Sequence, residues 1–386
     1  MKQIMAILLC LALCLIWTGC GSADNSPADT TASPTAPSDP PEAAKQSMHS
    51  VSMVSVSLDT LADDGGVLFT RAYQTILVTA AQTSVADAIA ADLNSKINTA
   101  LSNSDQLESI AHSEYTGQAD WYPYFVDIRY TPTRIDSTVF SLFGNHSSHS
   151  GGNHPALATR SVTYDLRDGS ELSLPDILAP ETDVAELAEL VNLSLSLSDA
   201  NLWYDYEDTV AELFAGKNGP VDNWYFSQTG LCFHFAPFMI GPYSSGTVIA
   251  TVPYEKLTGV VQDRFLPSAP DNSAGSIYIK PFDSAAEPAT VTLELDPDGI
   301  AAVLYCDDTV TNVRIESGAW SNDGARFIPT ATVFAADTMG IHHAIALRIN
   351  PTDENASLRL VYDSGDQQIT AFINTDTDRN TVVLSK

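Results

Sequence analysis

The sequence predicts an α+β protein: an antiparallel sheet packed with helices, followed by a C-terminal all-β, sandwich-like domain. Three observations predict it. Strand-like alternation and helical periodicity interleave from Met48 to Phe265. A loop-forming stretch, "LPSAPDNSAGS" (Leu266 to Ser276), interrupts the pattern. Beyond it the alternation is almost purely strand-like and recurs roughly every 9 to 14 residues, the spacing of a β-sandwich.

The elements follow in order. "HSVSMVSVSLDTL" (His49 to Leu61) and "GVLFTRAYQTILVTAA" (Gly66 to Ala81) alternate around Asp-Asp-Gly-Gly, a hairpin turn. From Ser84 to about Ile110 the period becomes helical, with Val85, Ile89, Leu93, Ile97 and Leu101 in one row. Trp121 to Asn145 gives two strands around a Pro132-Thr133-Arg134 turn, and Ala158 to Leu174 a hairpin turning at Asp168-Gly169. "TDVAELAELVNLSL" is an amphipathic helix striped by Val184, Leu187, Val191 and Leu195, with Thr182 or Asp183 as its cap. Asn223 to Leu257 reads as three strands and a short helical turn. After the linker, strands start near Ser276, Ala289, Ile300, Val310, Ala325, His342, Ala356 and Gln367. The domains expected are thus residues 48–265 and 276–386.

The N-terminus sets the compartment. Lys2 precedes an apolar run from Ile4 to Trp17, too short for a comfortable membrane span, and Thr18-Gly19-Cys20 follows. This resembles a bacterial lipoprotein signal, with Trp17 where the usual Leu stands. The resemblance implies a signal over residues 1–19 and a lipid on Cys20, which would anchor the protein on the extracytoplasmic side of the cell membrane. An uncleaved anchor is the alternative. Residues 20–47 are Pro, Ser, Thr, Ala and Asp with almost no large apolar side chain, the composition of a disordered tether.

Composition narrows the partners. A formal charge of −30 repels nucleic acid, anionic polymers and lipid headgroups, and favours a cationic partner. With Cys10 and Cys14 in the signal and Cys20 given to lipid, only Cys232 and Cys306 remain of five, so no disulfide framework is expected.

Chemistry-bearing residues are sparse. His146, His149 and His154 have ligand-like spacing, but no carboxylate or Cys falls inside the run. They are the candidates for a metal, and none is expected to bind one. His154 instead reads as a structural residue of the turn "GGNHP", in which Gly151 and Gly152 take positive φ; His146 and His149 read as an exposed flap. His342-His343 read as neighbours on a strand, facing opposite ways. Gly-x-Ser-x-Gly and His-Glu-x-x-His are absent. Cys232 and His234 share one strand face without a visible oxyanion element. Paired acids such as Asp307-Asp308 follow no EF-hand pattern. Aromatics cluster at Trp121, Tyr122, Tyr124 and Phe125, and again at Trp203, Tyr204 and Tyr206 beside Asp205, Glu207 and Asp208. Tyr and Trp bordered by acids suit contact with a basic protein, so Trp203 to Asp208 is the candidate partner-binding segment.

Two segments carry a wider resemblance. "GGNHPALATRSVTYDLRDGSELSLPDIL" and "NWYFSQTGLCFHFAPFMIGPYSSGTVIATVPYEKL" together resemble the extracellular domain of RsiV-type anti-sigma factors, which also accompanies PdaC-type peptidoglycan deacetylases. The resemblance covers roughly Ser50 to Thr258. It implies an α+β envelope domain used for recognition, with lysozyme as the ligand in the anti-sigma factors. With three residues before the apolar run, no sigma-binding segment is expected, and no deacetylase motif is visible. The expectation is a non-enzymatic surface lipoprotein without cofactor, acting as a recognition or sensor module. The alternative is a peptidoglycan-binding accessory or cell-wall-modifying enzyme.

Overall fold

A computed structural model of the chain describes residues 48–216, 220, 222–267, 275–282, 289–296, 299–321, 326–341, 343–349, 357–376 and 381–385. No described helix is long and apolar enough to cross a membrane.

Strands β1 (Ser50–Leu61) and β2 (Val67–Thr79) form the expected hairpin, paired from Ser50↔Thr79 onward. The helical stretch that follows is two helices. α1 (Thr83–Ser102) buries Val85, Ile89, Leu93 and Ile97 against the sheet, as the four-residue spacing requires. It stops at Asn103-Ser104, where the Ser104 hydroxyl donates to the Leu101 carbonyl (2.6 Å), and α2 (Asp105–Glu114) follows.

Strand β3 (Tyr124–Ile135) then joins β2 in parallel, not antiparallel as expected, because the two helices form the crossover that a parallel pair needs. β3 runs straight through Pro132-Thr133-Arg134, absorbing the proline as a register shift rather than a turn. The turn lies further on, where the Asp136 carboxylate accepts from the Thr138 and Val139 N–H groups (2.7 and 2.9 Å). Strands β4 (Val139–His149) and β5 (Ala156–Asp165) complete this side.

A helical segment follows: α3 (Leu174–Ile177), α4 (Val184–Ser196) and α5 (Tyr206–Phe214). Asp183 caps α4, accepting from the Ala185 N–H (3.1 Å), and Glu186 completes a capping box. A three-stranded sheet, β6 (Trp224–Phe226), β7 (Gly230–Phe235) and β8 (Val248–Pro253), leads to α6 (Tyr254–Leu257). Phe226, Phe233, Phe235 and Phe265 are fully enclosed in the core it shares with α4 and α5. Arg134, itself buried, ties this core to β3. It bonds the Tyr254 hydroxyl (2.8 Å) and the Phe265 carbonyl (2.6 Å) and lies over the Phe226 ring.

The C-terminal strands are β9 (Ile277–Pro281), β10 (Val291–Glu294), β11 (Ile300–Cys306), β12 (Val310–Trp320), β13 (Phe327–Met339), β14 (Ile345–Ile349), β15 (Ser357–Ser364), β16 (Gln367–Asp376) and β17 (Thr381–Ser385). β17 is one more than the periodicity predicts. They form two facing layers. One is β10-β14-β11-β9; the other, β17-β16-β15-β12-β13, continues through β1 into β2-β3-β4-β5 as one ten-stranded sheet. The join is the pairing of Ser50–Ser52 with Phe334–Ala336. His49 reinforces it: its N–H and ring Nδ1 both meet the Asp337 carboxylate (2.9 and 2.8 Å). The chain is thus α+β, with a β-rich C-terminal part.

Candidate recognition surface

The segment from Asn201 to Asp208 is held by its backbone and leaves its side chains outward. The Trp203 N–H donates to the Ile240 carbonyl (3.0 Å), and the Ser245 hydroxyl donates to the Asn201 carbonyl (2.8 Å). The chains approach so closely at Gly241 that a Cβ there would lie 2.5 Å from the Asn201 oxygen, which requires glycine. Val210 and Phe214 anchor α5 in the core, and Tyr206 packs against the same cluster. Tyr204 is 99% exposed and Trp203 40%. Asp205, Glu207 and Asp208 are exposed at the start of α5, where carboxylates are stabilised by the helix dipole.

The loop that grips Trp203 adds aromatics of its own. Phe238 is 62% exposed and holds φ of 71°, a left-handed conformation costly for a bulky residue. Its ring lies 5.5 Å from Tyr243, and Tyr243 stacks on His154 at 5.0 Å. The Tyr243 hydroxyl donates to the Pro155 carbonyl (3.2 Å). The "GGNHP" and "PYSSG" motifs therefore meet in space. Phe238 and Tyr243 carry little periodic signal, so the sequence alone did not mark them as surface residues; only the strained φ and the contact do.

Charge around this segment has one sign. Between Arg167 and Lys217 the chain has 12 acidic residues and no basic one. Of these acids Glu171 pairs with Lys96, while other ion pairs of the described residues, such as Arg71 with Glu108 and Arg264 with Asp165, lie outside the stretch.

The histidines reverse the sequence-based assignment. His146 and His149 are not on a flap: both belong to β4, and His149 is only 8% exposed. His154, expected to tie the turn together, is exposed and stacks on Tyr243. The reason is that β4 runs on to His149, so the turn begins later; Gly151 takes φ of 88° and Gly152 does not take a positive φ. The three rings find three different partners. His146 packs edge-on to Tyr130, His149 stacks with Phe125, and His154 stacks with Tyr243. No cluster of three or more metal-ligating side chains occurs among the described residues. Of the second pair, His343 precedes β14 rather than lying in it, and His342 lies outside the described residues.

Cys232 and His234 do not form a catalytic pair. The thiol is buried 3.4 Å from the Thr251 hydroxyl. His234, fully buried, contacts Ser161 Oγ through Nε2 (3.0 Å) and Thr159 Oγ1 through Nδ1 (2.8 Å). Ser161 has one hydroxyl proton, and the Trp224 carbonyl takes it at 2.5 Å. Nε2–H must then donate to Ser161, while Nδ1 accepts from Thr159. No acceptor nitrogen is left for a general base, and burial pushes the imidazole down to about 4. The network ties β5 to β6 and β7. Cys306 is likewise a buried thiol, donating to the Met339 carbonyl (3.1 Å). Cys20, the predicted lipid attachment site, lies outside the described residues.

Residues 175–255 carry a DUF3298 domain, matching the family described as "Protein of unknown function (DUF3298)". That stretch holds α4, α5, the three-stranded sheet and the whole of the Trp203–Asp208 segment. Among solved structures, a DUF3298 family member from Bacteroides fragilis is similar, with 16% identity and a TM-score of 0.41 over 56% of this chain and 95% of its own. A DUF3298 family protein from Pseudomonas aeruginosa matches with 15% identity and a TM-score of 0.37, over 57% of this chain and 97% of its own. No curated protein matches the chain.

Proposed function

We propose that the protein is a non-enzymatic, extracytoplasmic recognition module, lipid-anchored through Cys20, that binds a cationic protein at the Trp203–Asp208 surface. Lysozyme is the partner suggested by the resemblance to RsiV-type domains. One observation carries the reading: a nearly fully exposed Tyr204 beside Trp203, Phe238 and three carboxylates, in a stretch of 12 acids and no bases. Exposed aromatics supply desolvated contact area, and one-signed charge steers a basic partner and sets salt dependence. Binding of the full-length protein to lysozyme, against purified cell wall as the competing ligand, tests it. Tyr204→Ala should weaken lysozyme binding at least tenfold, while leaving stability within about 0.5 kcal/mol, as for most exposed substitutions. Retention on cell wall alone would sink the proposal. For the anchor, Cys20→Ala should release the protein into the aqueous phase or leave its signal uncleaved. A processed, detergent-phase Cys20→Ala protein would show that the anchor is elsewhere.

A further inference from the structure

A second feature shares no residue with that surface. Helix α1 covers β2 and β3 but not the same face of β4 and β5, and a groove of about 720 Å³ opens beside it. Its emptiness has a sequence cause. Of the side chains that β4 and β5 turn to this face, Gly144, Ser148, Ala156 and Ala158 are too small to fill it, and His146 and Arg160 stand among them. At Gly144 a Cβ would lie 2.7 Å from Tyr130 Cε1, so the Tyr130 ring lies across the glycine and forms part of the floor.

The rim is polar and nearly balanced in charge. Lys96 Nζ lies 2.9 Å from both Asp92 and Glu171, and Arg160 pairs with Asp222 at 2.5 Å. Two cations against three carboxylates leave one net negative charge, which disfavours phosphates and other anions. The acids are already paired, so a cation gains little. An apolar ligand would bury these ion pairs and would leave the Ser95 hydroxyl without a partner. One group is already in that position: His146 Nε2 is buried and makes no hydrogen bond. Burial, with the Arg160 charge nearby, pushes this imidazole down to about 4, so it is neutral and offers one donor and one acceptor.

We propose that this groove binds an uncharged saccharide of about one or two rings, whose hydroxyls pair with the rim groups beside the neutral His146 imidazole. Hydroxyls both donate and accept, which is what a neutral imidazole and a rim of paired ions require. A volume of this size suits a small ligand. A free sugar and the end of a polymer share this chemistry.

The test uses the full-length protein in a sugar-free detergent, titrated calorimetrically with maltose, cellobiose and N,N′-diacetylchitobiose, with glucose 6-phosphate as the anionic control. At least one uncharged disaccharide should bind saturably. His146→Leu and Ala158→Leu, each checked for an unchanged melting temperature, should weaken it at least tenfold. Hydrogen exchange on the wild type provides a readout independent of any variant: the sugar should slow exchange within Asn145 to Arg160. Pull-down on chitin or cellulose separates the sources, since retention competed by the disaccharide identifies a polymer end and its absence a free sugar. Binding of none of the three sugars would overturn the proposal. So would binding that survives both substitutions, protection elsewhere in the chain, or tighter binding of glucose 6-phosphate.

Discussion

The two ends of the ten-stranded sheet bury their faces in opposite ways. Beyond β12 the cover is another sheet, and the layer between them is apolar: Ala302, Leu304, Ile345 and Leu347 face Val313, Ile315, Phe334 and Leu360, all nearly or fully buried. At β2 to β5 the cover is helical: α1 and α2 pack over β2 and β3, and β4 and β5 are left without a helix on that face. What it leaves uncovered is lined with a tyrosine, a histidine and ion pairs. Sheet on sheet closes a surface; helices that cover only part of a wide sheet leave an edge, and chemistry collects there.

The largest expected effect tests whether the two ends stand or fall together. Phe334, fully buried, sits on β13 at the pairing with β1. Phe334→Ala should cost about 3–5 kcal/mol. Because one hydrogen-bonded sheet crosses the junction, urea unfolding followed by tryptophan fluorescence and by circular dichroism should still give one coincident transition. Two separated transitions would show that the ends melt independently.

A smaller effect separates the ends by pH. The imidazoles with depressed pKa values, His146 on β4 and His234 against β5, both lie at the β2–β5 end of the sheet. An unfolded imidazole titrates at about 6.5, whereas folded His234 resists protonation until about 4. Between these values the unfolded state binds more protons, so stability falls as pH falls, by at most about 1.4 kcal/mol per pH unit for His234. Above pH 7 this contribution is flat. His234→Gln should lower stability at pH 7, yet flatten the slope between pH 6.5 and 4. An unchanged slope would place the acid lability elsewhere.

The smallest effect concerns His154. Stacked on Tyr243 yet exposed, it should cost about 0.5 kcal/mol on replacement by Ala, and no more than about 1 kcal/mol. Thermal melting of His154→Ala beside His149→Ala would rank them, with the buried His149 expected to cost more. The reverse ranking would restore the structural role that the turn motif predicts for His154.

Local patterns determined a great deal by themselves. The α1 stripe, the Asp183 cap, the Asp168-Gly169 hairpin and eight of the C-terminal strands are all written in nearest-neighbour chemistry, where side-chain period and cap residues act within one element. The exposure of Trp203 and Tyr204 was legible too, because aromatics among acids rarely form a core. Pairings between distant segments were not legible. A sequence cannot show that β2 and β3 run parallel, that Ser50 pairs with Ala336, or that Tyr243 meets His154, since register depends on which faces the cores bury. The histidines were misassigned for the same reason: their burial depends on how far β4 extends before turning, and that is fixed by its ladders to β3 and β5. The groove, likewise, exists because the helices stop short of β4 and β5, at strands where Gly144, Ser148, Ala156 and Ala158 leave the space unfilled.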